Sequence, residues 1–84
     1  MTAFIKIGHD LLNTAHICRI TKTRGFQPER YYIVFVLDMI IDDEQCTFEV
    51  LYSNERIRDE EFESLTAQLA SGVMIAEVNG EWTK

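Results

Sequence analysis

Tyr31-Tyr32-Ile33-Val34-Phe35-Val36-Leu37-Asp38-Met39-Ile40-Ile41 is the stretch on which the reading of this chain turns. Only Asp38 interrupts a run that is apolar at both odd and even positions. A strand with one face in water alternates apolar and polar side chains, so a run apolar at both parities has to be covered on both faces. The run is too short to cross a bilayer as a helix, and its β-branched and aromatic content favours a strand. The period of two predicts Tyr31, Ile33, Phe35, Leu37, Met39 and Ile41 on one face. Tyr32, Val34, Val36 and Ile40 fall on the other, with Asp38 and Asp42 as its wet end.

Working toward the N-terminus, Gly25-Phe26-Gln27-Pro28-Glu29 is the strongest loop signal in the chain. Before it, residues 16–24 read as a strand, but Ile17 and Ile20 are three apart, which predicts a bulge or a helical turn. Residues 4–8 form a further short strand. Residues 10–17 lead into a tight turn where Asn13 and Thr14 satisfy backbone groups with their own side chains.

Toward the C-terminus, Asp42-Asp43-Glu44-Gln45 has the length and polarity of a hairpin connection. Cys46, Phe48, Val50 and Tyr52 then alternate inward against Thr47 and Glu49, a strand expected to pair antiparallel with the central one. Ser53, Asn54 or Asp59 offers a helix cap, and Phe62, Leu65 and Leu69 give one apolar stripe at spacings of three and four. The helix is expected over roughly 59–71, with Asp59, Glu60 and Glu61 near its positive end and Ser71-Gly72 as its stop. Residues 73–78 are a short apolar run, and Asn79-Gly80 is a turn. The tail carrying Trp82 either adds a strand or extends the sheet edge.

These elements predict a single α+β domain over residues 1–84: a small antiparallel sheet of about four strands with one helix packed on one face. One helix covers one face. The face of Tyr32, Val34, Val36 and Ile40 then needs strong curvature of the sheet, the tail with Trp82, or a second copy of the protein. A domain this small buries only about 60–65% of the surface of its unfolded chain, so unburied apolar area weighs heavily.

The net charge of −6 is unevenly distributed. Residues 1–30 carry five basic and two acidic side chains; residues 31–84 carry twelve acidic side chains against Arg56, Arg58 and Lys84. The acidic candidates for contact with a basic partner are Asp42, Asp43 and Glu44 at the hairpin, and Asp59, Glu60, Glu61 and Glu63 on the helix. The simpler reading is that these acids keep a small domain soluble. Arg19, Lys22, Arg24 and Arg30, interleaved with Phe26 and Tyr31, have the makings of a single-strand nucleic-acid strip, but a sequence pI of 4.7 argues against that use.

No catalytic constellation is legible. Cys18 and Cys46 lack paired spacing and read as reduced, half-buried thiols; His9, His16, Cys18 and Cys46 lack the short knuckles of a zinc site. The four glycines form no phosphate loop, and the acidic tetrapeptide lacks the ligand order of a calcium loop. No cofactor and no metal are expected. The N-terminus has no basic and apolar leader pattern and no stretch is long enough to span a membrane, so a cytoplasmic protein is expected.

Phe4-Ile5-Lys6-Ile7-Gly8, followed by Leu12-Asn13 and Ile17-Cys18-Arg19-Ile20, resembles the start of short bacterial and phage proteins of unknown function. Those proteins show a strand, a Leu/Ile-Asn step, an Ile-x-x-Ile segment, an aromatic strand and an acidic helix. The resemblance runs over residues 4–70 and departs at the loop 25–29 and from residue 73. It implies a bacterial or phage origin and the α+β layout, and it carries over no activity. The expectation is therefore a non-enzymatic interaction or regulatory module, a homo-oligomer or a binder of a basic protein, with Tyr32, Val34, Val36, Ile40 and Trp82 at the interface. The alternative is an acidic inhibitor or nucleic-acid mimic of phage type that blocks a basic site on a host protein.

Overall fold

The computed structural model describes residues 3–26 and 28–83, the last three (81–83) by backbone alone. From the N-terminus the chain runs β1 (Phe4–Ile7), β2 (Asp10–Asn13), a short 3-10 turn (Thr14–His16), β3 (Ile17–Gly25), β4 (Arg30–Ile41) and β5 (Glu44–Tyr52). It continues with α1 (Glu55–Ala70), β6 (Ile75–Val78) and β7 (Glu81–Thr83). The class is α+β, as expected. The strands, however, form two sheets instead of one. β3, β4 and β5 make the antiparallel meander, with the short β7 added along β5; β2, β1 and β6 make a second, mixed sheet in which β1 and β6 run parallel.

Strong curvature does not occur; the inner face of the meander is closed by the second sheet and the helix together. Ile5, Ile7, Leu12, Ala76 and Val78 all point the same way from the small sheet, because each occupies the same pleat position across the β1 pairings. They join Ile33, Phe35, Val50 and Tyr52 from the large sheet and Leu65 from the helix in one core. Residues 73–78 were expected only as a short apolar run. The last four of them form β6 beside β1, where Ala76 and Val78 are buried.

The helix begins four residues earlier than the acidic run suggested. Asn54 is the cap, its side chain accepting from the Ile57 N–H at 2.8 Å, so Glu55 is the acid of the first turn and Asp59 to Glu61 lie in the second. Its end falls where expected: Gly72 takes a positive φ of 80°, its N–H donates to Leu69 O, and the Val73 N–H donates to Gln68 O. At the other end of the chain, Asn13 accepts from the Ala15 N–H and the Thr14 hydroxyl donates to Ala3 O. The unequal spacing of Ile17 and Ile20 is a bulge, seen as a register shift between Ile17 and Arg19.

Candidate interaction surface

The pairing register lays out the outer face of the large sheet as three rows across β3, β4 and β5. They are Arg19–Val36–Thr47, Thr21–Val34–Glu49 and Thr23–Tyr32–Leu51. Every one of these side chains points away from the core, because its neighbours in sequence (Ile20, Ile33, Phe35, Val50) point into it. Tyr32, Val34, Val36 and Leu51 are half-buried, sheltered only by the rows around them. Of the sequence-derived interface residues, Tyr32, Val34 and Val36 are thus brought together as one column. The tail does not cross this column: Trp82 pairs through its backbone with Val50 at the sheet edge, and its side chain lies outside the described residues.

Ile40 is elsewhere. Between Val36 and Ile40 the β4–β5 register shifts, and beyond it Ile40 pairs with Gln45 and Ile41 with Glu44. This end of the hairpin overruns the helix and the small sheet. Met39 and Ile41, expected inside with Leu37, are 46% and 57% exposed, and Ile40 is 71% exposed. Asp42 and Asp43 make the two-residue turn with φ of 53° and 64°, the doubly left-handed geometry that suits the right-handed twist of paired strands.

The basic strip of the sequence is divided by the pleat. Lys22 and Arg24 lie opposite Ile33 and Tyr31, on the inner side near the helix; Arg19 lies opposite Val36, on the outer side. The inner pair is engaged within the protomer. Lys22 Nζ is 3.4 Å from Asp59 and 5.3 Å from the Phe62 ring centre, while Arg24 is paired with Glu29 and stacked near Phe26 and Tyr31. Arg58, which the sequence reading left out, is buried; it donates to Thr23 O at 2.8 Å and to Asp59 at 3.0 Å and lies over Tyr31. It was visible as the continuation of the 62–65–69 stripe one step back, at residue 58. The Arg58 hydrogen bond, helped by Lys22, holds the Asp59 carboxyl below its ordinary value.

The acidic residues form two separate groups. Asp42, Asp43 and Glu44 sit at the hairpin turn, whereas Asp59, Glu60, Glu61 and Glu63 belong to a helix that starts just past the other end of β5. Eight residue-to-residue steps along the nine-residue strand from Glu44 to Tyr52 put about 27 Å between those ends. Three of the four helix acids have partners: Asp59 as above, Glu60 with Arg56 at 3.1 Å, and Glu61, which accepts from the Asn79 N–H.

Other reactive side chains do not converge. Among the described residues no group of three His, Cys, Asp or Glu is placed to hold a metal ion. His16 Nδ1 lies 3.3 Å from Asp38 on the surface, and His9 is exposed in the β1–β2 turn. Both cysteines are free; Cys46 is half-buried, but Cys18, expected to be so too, is exposed at the bulge of β3. A groove of about 520 Å³ between β3 and α1 is lined by Ile17, Cys18, Arg19 and Ile20 on one side and by Phe62 and Leu69 on the other, and no described acid or imidazole lines it. Tyr52 is 5% exposed, and its hydroxyl finds no partner among the described residues. Burial first, and then the Glu61 charge, pushes its ionisation far above the ordinary tyrosine value. No described helix is long and apolar enough to cross a membrane. Comparison of the chain with models of known families, with curated proteins and with solved structures finds no match.

Proposed function

We propose that this chain is a non-enzymatic interaction module that self-associates through the outer face of its large sheet. The observation that carries the proposal is the column Tyr32–Val34–Val36 with Leu51 beside it, apolar and covered by no other described element. Antiparallel sheets with one wet face ordinarily place polar residues there, so a central apolar column is a surface suited to a partner. A second copy fits because an apolar column is self-complementary: each copy would bury the other's Tyr32, Val34 and Val36. Against the alternative, an acidic inhibitor or nucleic-acid mimic, weighs the separation of the two acid groups at opposite ends of the strands. A mimic presents its charges as one continuous surface. Against the basic strip as a nucleic-acid site weigh the internal partners of Lys22 and Arg24.

Three strands and three rows cover roughly 300 Å² per copy once side-chain width is included. That is small beside a standard interface of about 800 Å² per partner, so reversible association in the micromolar range or weaker is expected. The test is molar mass by light scattering across the micromolar range in reducing buffer, with Val34→Lys as the variant. The wild type should gain mass with concentration and the variant should stay monomeric while melting as before. A wild type that is strictly monomeric throughout refutes the proposal.

A further inference from the structure

We propose that the groove between β3 and α1 takes an extended segment of another protein as one more antiparallel strand on the edge of β3. The segment carries an apolar residue beside Ile20 and, next in its sequence, a carboxylate beside Arg19. This surface is separate from the outer face assigned to self-association.

β3 ends the order of the large sheet and β6 ends that of the small one, so each has an edge with no described strand beside it. Side chains of α1 reach both edges but close only one. On β6, Gln68 donates to Glu77 O at 3.2 Å and accepts from the Glu77 N–H at 3.0 Å, taking the place of a neighbouring strand. Glu61 accepts from the Asn79 N–H just beyond. That edge is closed to other chains. On β3, Arg58 donates to Thr23 O, but no described side chain bonds the backbone of Thr21. The N–H and C=O of one residue point to the same side of an antiparallel strand, and the sides alternate along it. The outward Thr23 carbonyl therefore puts both backbone groups of Thr21 on the open edge.

An antiparallel strand placed there exchanges two hydrogen bonds with Thr21. Its next residue falls beside Ile20, on the helix side of the pleat, where Ile17, Ile20, Phe62 and Leu69 wall the groove and favour an apolar side chain. The 520 Å³ of the groove lies within the range of about 300–1,000 Å³ usual for ligand sites. The residue after that falls beside Arg19, which lines the groove at the bulge and has no ion-pair partner among the described residues. Opposite charges side by side on neighbouring strands attract, whereas the net charge of −6 repels a highly acidic segment at long range. One carboxylate at this place is favoured, and a run of them is not.

The probe is a capped, dye-labelled peptide of alternating threonine and valine with one central threonine replaced by glutamate, and its counterpart carries lysine there. Fluorescence polarisation follows binding at protein concentrations below those of self-association. The glutamate peptide should bind more tightly than the lysine peptide by up to about five-fold, and Arg19→Glu should reverse that order. Thr21→Pro removes the edge N–H without breaking a bond of the fold, so it should melt as the wild type does and bind about three- to tenfold more weakly. Thr66→Glu, an exposed change on the helix beside the groove, should weaken binding as well. In the wild type the peptide should slow hydrogen exchange at the Thr21 amide. No binding up to about 1 mM, equal binding of the two peptides, or an unprotected Thr21 amide overturns the proposal. So does loss of the protein's own self-association in Thr66→Glu, which would assign the groove to a second copy. A wild type that stays monomeric yet binds the glutamate peptide in this pattern supports the groove and refutes the outer-face reading alone.

Discussion

Replacing Gly80 by alanine puts one methyl group where the fold has no room for it. A Cβ at this position lies 2.2 Å from Val50 Cγ1 and 2.7 and 2.9 Å from Tyr52 Cζ and Cε1. Carbon atoms in contact sit about 3.5–4.0 Å apart, so these neighbours, both buried, would have to retreat by up to more than 1 Å. Gly80 has no left-handed backbone angle, so alanine suits its conformation and the effect is steric alone. Overpacking of this kind costs about 1–3 kcal/mol, and a domain of this size loses roughly 4–8 °C of melting temperature per kcal/mol.

Thermal unfolding followed by circular dichroism reads the loss, and hydrogen exchange at residues 81–83 shows whether the strain is relieved by lifting β7 off β5. Gly25→Ala is the control, since its nearest neighbour, Tyr32 Cε2, stands at an ordinary 3.5 Å. Val50→Ala removes the atom in closest conflict, so the double variant should lose less than the two single losses added together. An unchanged melting temperature in Gly80→Ala, or strict additivity with Val50→Ala, would refute the reasoning that the chain crosses over Val50 and Tyr52 on its way from β6 to β7.

Leu65→Ala should lose about 2–5 kcal/mol in urea unfolding and exceed Phe62→Ala, because Leu65 is 2% exposed and Phe62 is only half-buried; the reverse order would mean a rotated helix. Tyr52→Phe should be neutral or raise stability by up to about 1 kcal/mol at neutral pH, since it removes a buried hydroxyl without a protein partner. Tyr52 holds its proton more tightly folded than unfolded, so its contribution is present below pH 10.0 and falls as pH rises beyond it. The phenylalanine variant should therefore lose less stability on that alkaline limb. Asp59 has the opposite sign: its folded value is depressed, so its contribution is present above 3.8 and is lost as pH falls below that value. Asp59→Asn should lower the melting temperature at neutral pH and flatten its decline in acid.

Local periodicity carried the reading of the fold as far as it went. The parity of Ile33, Phe35, Val50 and Tyr52 fixed which face is inside, and Leu65 with its stripe fixed the helix face. What stayed hidden depends on distant pairing. Ile75-Ala76-Glu77-Val78 alternates as well beside any strand, and nothing local says that its neighbour is β1, some seventy residues back, in parallel. The overhang of the hairpin was hidden for a similar reason: Met39 and Ile41 continue the pattern of Leu37, but the helix and the small sheet end before them. Asn54 was one of three candidate caps, but the helix start was expected near Asp59 because the charge run was the louder signal, while Ile57 and Arg58 broke the apolar pattern in the first turn.

The lopsided charge of the sequence is partly paired off within one protomer, and connectivity is the reason. β3, from the basic third of the chain, lies beside β4 and within reach of α1, so Lys22 meets Asp59, while Arg58 from the acidic part donates to a β3 carbonyl. These contacts join the two parts inside one protomer, on the helix side of the sheet. On the outer rows Arg19 lies on β3 and Glu49 on β5, one on each side of an apolar column, and the row of Leu51 continues onto Glu81 of β7. Two copies of net charge −6 have no long-range attraction for one another, so association through this face depends on contact between the columns. Added salt should then leave self-association unchanged or strengthen it in light scattering, because it screens the repulsion between the two copies and leaves the apolar contact in place; dissociation by salt would refute an apolar contact.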